Sequence, residues 1–128
     1  MTDELVRPSE PRELREGTIE HFALRRLVEQ LMAEDTFVST GRDALTLVHA
    51  PTLSVVLTVA RRGTACDVHQ VPTAALIVCL VGAIVVARAD GDVAVHLEEG
   101  AAAGMAPDTL HVLRAESDCA FLTVLAPP

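Results

Sequence analysis

Leu24, Leu27, Val28 and Leu31 recur at steps of three and four residues, with Arg25, Arg26, Glu29 and Gln30 between them. That step keeps one face apolar around a helix, so the spacing predicts an amphipathic helix from Thr18 to about Glu34. Thr18 is the expected cap, because its hydroxyl can accept from an unpaired amide of the first turn. No ionisable cluster decorates this helix, so its expected role is packing, across other secondary structure or against a second subunit.

Beyond Thr40-Gly41-Arg42 the period drops to two. Leu45 and Leu47 predict a short strand ending before Pro51. Leu53, Val55, Leu57 and Val59 alternate with Ser54, Val56, Thr58 and Ala60, the pattern of a half-buried strand. Arg61-Arg62-Gly63 reads as a turn and Thr64–Val71 as a strand stopped by Pro72. An apolar run follows, broken at Gly82 before Ala83–Arg88. Asp90-Gly91 is the signature of a two-residue type I′ hairpin, which needs positive φ at both central positions. Val93, Val95 and Leu97 come next, then a turn at Glu98-Glu99-Gly100 and a strand over Ala101–Ala106. Pro107-Asp108 leads into Leu110–Arg114, and Glu116-Ser117-Asp118 into a last strand, Cys119–Leu125.

Nine or ten short strands with turn residues between them, and no helical stretch among them, exclude βαβ topology and predict a sandwich or barrel. The expected organisation is a flexible N-terminal arm over 1–16, a packing helix over 17–35 and a β-barrel domain over 36–128. At 128 residues the chain is long enough for one core.

Charge and composition narrow the partners. A formal net charge of -8 repels phosphate backbones and anionic lipid, so neither nucleic acid nor a membrane surface is an expected partner. With no Trp, no Tyr and three Phe, base-stacking platforms have almost nothing to be built from. Cys66, Cys79 and Cys119 are odd in number and form no CxxC pair, which points to reduced thiols. The first residues lack the apolar core of a secretory signal. The apolar run Ala74–Ala87 is shorter than the ~18–20 residues that span a bilayer. A cytoplasmic protein is the expectation.

No nucleotide-binding loop, nucleophile elbow or HExxH is present. Two stretches do stand out. Gly63, five residues, His69, Pro72 and a closing Gly82 form one, and Gly100, Pro107 and His111 form the other. Together they resemble the two motifs of the cupin superfamily over roughly residues 43–126. In particular the chain is similar to the small stand-alone, RmlC-like cupins of the conserved-barrel type. The resemblance implies an all-β fold, a single double-stranded β-helix or jelly-roll barrel with a short N-terminal α-helix.

The resemblance also implies a metal held by three histidines and a carboxylate, and here the sequence departs from it. Val71 stands where the second histidine belongs, Ala75 near the position of the glutamate, and Asp108 at a turn position usually taken by glycine. His69 and His111 are the two ligands left, with Asp67, two residues from His69 on one strand face, able to join them. The expected pocket comprises His69, His111, Val71, Ala75, Ile77, Cys79, Ala103 and Met105. His21, His49 and His96 have no second ligand type at a useful spacing and read as solvated or hydrogen-bonded structural residues.

Three functions stay open on these residues. The first is a cupin that binds a small apolar or weakly polar ligand in the barrel without a complete metal site. The second is a dioxygenase- or isomerase-like enzyme in which His69, His111 and Asp67 or water hold Fe, Mn, Ni or Zn. The third is a structural or regulatory dimer with a filled barrel. Ala75–Val81 is apolar on both faces, so it should be covered on both, by the helix or by a second copy. Each large side chain buried there gains about 1.5–3 kcal/mol, and a homodimer is therefore expected.

Overall fold

The computed structural model describes residues 14–69 and 72–126, with backbone alone for 67–69. The arm expected over 1–16 lies, but for its last three residues, outside the described residues. No helix among the described residues is long and apolar enough to cross a membrane.

The amphipathic pattern forms α1 (Leu24–Ala33), which buries Val28 and Leu31. It starts later than expected. Ala23 occupies the cap position with no side-chain hydrogen bond, while the Thr18 amide donates to the Arg15 carbonyl at 3.0 Å in a preceding turn. A hydroxyl cap is worth about 1 kcal/mol, less than one large buried side chain. The helix therefore begins where the packed ridge begins, at Phe22 and Leu24.

A second short helix, α2 (Asp35–Thr40), was not expected, because six residues with one buried side chain, Phe37, show no period. It ends on Gly41 at φ +78°, whose amide donates to the Phe37 carbonyl. Arg61 completes that terminus. Its guanidinium donates to the Phe37 and Val38 carbonyls at 3.0 and 2.7 Å and lies 5.5 Å from the Phe37 ring centre. The barrel proper starts at Arg42, so residues 36–40 of the expected barrel domain belong to this helix.

Nine strands follow among the described residues: β1 (Arg42–Ala50), β2 (Leu53–Ala60), β3 (Ala65–His69), β4 (Ala75–Val81), β5 (Ala83–Arg88), β6 (Ala94–Glu98), β7 (Ala102–Met105), β8 (His111–Ala115) and β9 (Cys119–Leu125). They make two antiparallel sheets, ordered β1-β2-β9-β4-β7 and β3-β8-β5-β6. This is the jelly-roll expected. Between the sheets Ile77, Cys79 and Phe121 from the first pack with Ile84, Val86, Leu97 and Leu113 from the second. On the outer face of the first sheet Leu47, Leu57, Val59 and Ala120 pack against Val28, Leu31 and Phe37 of the helices.

Both faces of β4 are apolar, and the structure divides their cover. Ala75, Ile77 and Cys79 are buried inward, Leu80 and Val81 pack under the helical layer, and Leu76 stays 41% exposed beyond it. The helices thus answer half of the expected need for cover.

The Asp90-Gly91 turn differs from expectation. β5 and β6 are joined by five residues, and only Gly91 has positive φ, at +84°. The Gly91 amide donates to the Arg88 carbonyl at 2.8 Å, and Asp90 is held by the Arg88 guanidinium at 2.7 Å and the Asp92 amide at 2.9 Å. Those side-chain contacts stabilise a wider loop than a type I′ turn. Asp108, in contrast, does take φ +61° where the resemblance would place a glycine, a conformation that Asp tolerates better than most residues.

Candidate functional site

Between the sheets lies a cavity of about 440 Å³, within the range of small-molecule sites. Alternation in the strands makes its wall. Ala75 and Ile77 come from β4, Phe121, Thr123 and Leu125 from β9, and Val56 and Thr58 from β2. The opposite sheet supplies Cys66 from β3 and His111 and Leu113 from β8, while β7 adds Met105 and β1 adds Arg42, Asp43 and Ala44 at one end. The surface is mostly aliphatic, with a few separated polar groups.

Among the described residues His111 is the one polar residue in the buried core, 6% exposed. Its strand runs between β3 and β5, with His69 and Arg88 as its backbone partners on the two sides. The Nδ1 atom lies 3.1 Å from the Thr109 carbonyl, which can only accept, so Nδ1 carries the proton. The bond holds the imidazole in one orientation.

A smaller cavity of about 250 Å³ adjoins on the β5–β6 side and includes Ala103, Thr109, Val93 and Val95. Met105 and His111 line both spaces and so form the partition between them.

Of the residues expected at the pocket, Ala75, Ile77, Met105 and His111 come together on the main cavity. Ala103 faces the smaller one. Val71 lies outside the described residues, and for Asp67 and His69 only the backbone is described; it sets His69 directly opposite His111. Cys79 is displaced from the expected pocket. It is fully buried in the core, its Sγ donating to the Gly82 and Val81 carbonyls at 3.4 and 3.7 Å. It shares the inward face of β4 with Ile77 but packs in the inter-sheet core, outside the cavity lining.

Sequence reasoning missed Arg42, Thr58, Cys66, Leu113, Phe121 and Thr123. The threonines alternating with leucines and valines in β2 and β9 were the available signal. The alternation in β2 read as half-buried, but it did not say that the threonine-bearing face would line a cavity while Leu57 and Val59 went under the helices.

The thiols differ in environment. Burial, followed by the nearby Cys79 and Cys66 thiols and Asp118, pushes Cys119 up to about 12. Burial and the Glu99 carboxylate also raise Cys79. Both stay protonated at neutral pH and are inert, whereas Cys66 meets the cavity. A maleimide reagent small enough to enter should therefore modify one thiol of the native protein, Cys66, and all three after unfolding in urea. Because the folded value of Cys119 exceeds its unfolded one, its contribution is fully present below about pH 9 and fades as pH rises toward 12.

No protein-family model matches this sequence, and no curated protein matches it. Solved structures do resemble it. A cupin superfamily protein from Desulfitobacterium hafniense superposes with a TM-score of 0.68 at 13% identity, over 80% of this chain and 88% of the other. An RmlC-like cupin from Desulfovibrio desulfuricans gives 0.65 at 24% identity, over 77% and 93%. The chain has the fold of a small single-domain cupin. KdgF from Halomonas sp. is a third similar structure, with a TM-score of 0.61 at 25% identity over 71% and 84% of the two chains.

The metal that cupins imply can be tested against the donors at hand. Among the described residues no three His, Cys, Asp or Glu side chains gather closely enough to hold an ion. Near His111 the shared wall is instead Met105, a thioether, and Ala75 is a methyl group. The described side chains of this chain do not compose a metal site.

Proposed function

We propose that this cupin is a binding module that holds a small apolar or weakly polar molecule between its sheets, without a complete metal site. The hollow, largely aliphatic space beside one oriented histidine is the observation that carries this reading. Burial of the ligand's apolar surface supplies the affinity, at about 25 cal/mol per Å² before the cost of immobilisation. His111, fixed at this wall, gives the otherwise apolar surface one polar group against which a ligand can be oriented.

The test is titration with N-phenyl-1-naphthylamine, an uncharged probe that fluoresces in apolar surroundings. One equivalent should bind, and Ile77→Trp, which places an indole in the cavity, should abolish binding while the protein stays folded by circular dichroism. Failure to bind, or equal binding by the filled variant, would remove this reading.

The alternative, a mononuclear metal enzyme, draws support from the register that sets His69 opposite His111. Dialysis against Fe, Mn, Ni or Zn decides between them. About one retained equivalent, lost in both His69→Ala and His111→Ala, would favour the enzyme over the binding module.

A further inference from the structure

All ten basic residues of this acidic chain are arginines, and five of them lie in the barrel region: Arg42, Arg61, Arg62, Arg88 and Arg114. Two are committed to the fold. Arg61 is held by the carbonyls of α2, and Arg88 pairs with Asp90 at 2.7 Å and Asp92 at 3.5 Å. Arg42 differs in that it lines the main cavity and its guanidinium meets no carboxylate or carbonyl among the described residues.

Thr58 stands beside it. The β1–β2 register sets Ala44 opposite Thr58, which makes Arg42 and Thr58 diagonal neighbours, and all three residues line the cavity. Diagonal positions in antiparallel strands are ~7–8 Å apart, within reach of a side chain as long as arginine. The Thr58 hydroxyl likewise has no protein partner among the described residues. The one acid on this wall, Asp43, accepts from the Ala44 amide at 2.8 Å through Oδ1. The adjoining wall consists of apolar groups from Ile77, Leu113 and Phe121.

A guanidinium and a hydroxyl at one end of a mostly apolar cavity suit a carboxylate with an apolar body. We propose that the ligand of this cavity is an amphipathic carboxylate, its anionic end on Arg42 and Thr58 and its apolar body between the sheets. This rests on the reading of the barrel as a binding module and names the chemical class it takes. It also assigns Arg42 the task of selecting an anion in a protein whose overall charge of -8 repels anions in general.

Three probes of one length, hexanoate, 1-hexanol and hexylammonium, separate the possibilities when titrated into the full chain by NMR. Hexanoate is expected to bind about tenfold more tightly than 1-hexanol at low salt, with the preference shrinking as salt rises. Arg42→Gln should bring hexanoate down to the level of 1-hexanol, and Arg42→Lys should retain part of the preference. Equal binding of the three probes, preference for hexylammonium, or a hexanoate preference that survives Arg42→Gln would each overturn the carboxylate assignment. The binding-module reading would still stand after any of those. If no probe binds the native protein, the binding reading itself fails and takes the carboxylate assignment with it.

Discussion

Gly82→Ala is expected to cost more stability than substitution of any other glycine in the barrel. Gly82 joins β4 to β5, where the chain leaves one sheet for the other, and holds φ at +74°. A Cβ there would collide with the backbone carbonyl of Asp118 and come within 2.6 Å of Ser117 Oγ. The carbonyl cannot rotate aside as a flexible side chain would. The Ser117 hydroxyl, in turn, accepts from the Ala83 amide at 3.0 Å, so displacing it breaks the start of β5. Backbone strain and steric displacement together should exceed about 3 kcal/mol, a large share of the stability of a domain this size. Gly100→Ala is the control. It has a similar φ of +86° but nothing within 4 Å of its added carbon, so only the conformational cost of about 1 kcal/mol remains. Urea midpoints of the two variants measure the difference, and equal losses would show that the contact with Asp118 is unimportant.

Leu31→Ala and Ile77→Ala are expected to separate widely although both side chains are fully buried. Leu31 is enclosed by the helical layer and the outer face of the first sheet, so its truncation leaves a new cavity and should cost about 2–5 kcal/mol. Ile77 lies in the wall of the cavity, so its truncation adjoins space that is already there. Its truncation enlarges an existing void and should cost about half as much. A barrel filled by its own side chains, the structural-dimer alternative, predicts equal costs. Chemical unfolding of both variants therefore asks whether the interior is hollow without reference to any ligand.

Where turn residues interrupted a clear alternation, the strands were legible in the sequence. β2, β5 and β9 fall over Leu53–Ala60, Ala83–Arg88 and Cys119–Leu125 because Pro51, Gly82 and Ser117-Asp118 punctuate them. His111 was legible as a pocket residue because a turn bearing Pro107 and Asp108 delivers it to the start of β8. Other features were hidden by competing physics. Packing set the start of α1 over the cap offered by Thr18, and side-chain bonds from Asp90 widened a loop that its Asp-Gly pair alone would have closed tightly. Arg42 and Thr58 were missed for a different reason. Whether a strand position lines the cavity depends on which face of the strand the helices cover, and that is a property of the assembled layers.

The measurement that bears most directly on the hollow barrel is a map of amide shifts during titration with 1-hexanol. The account predicts that the largest shifts fall on Ile77, His111, Leu113, Phe121 and Thr123, from both sheets at once. Shifts confined to Leu53, Leu76 and Val38 on the outer surface, or none at millimolar probe, would contradict it.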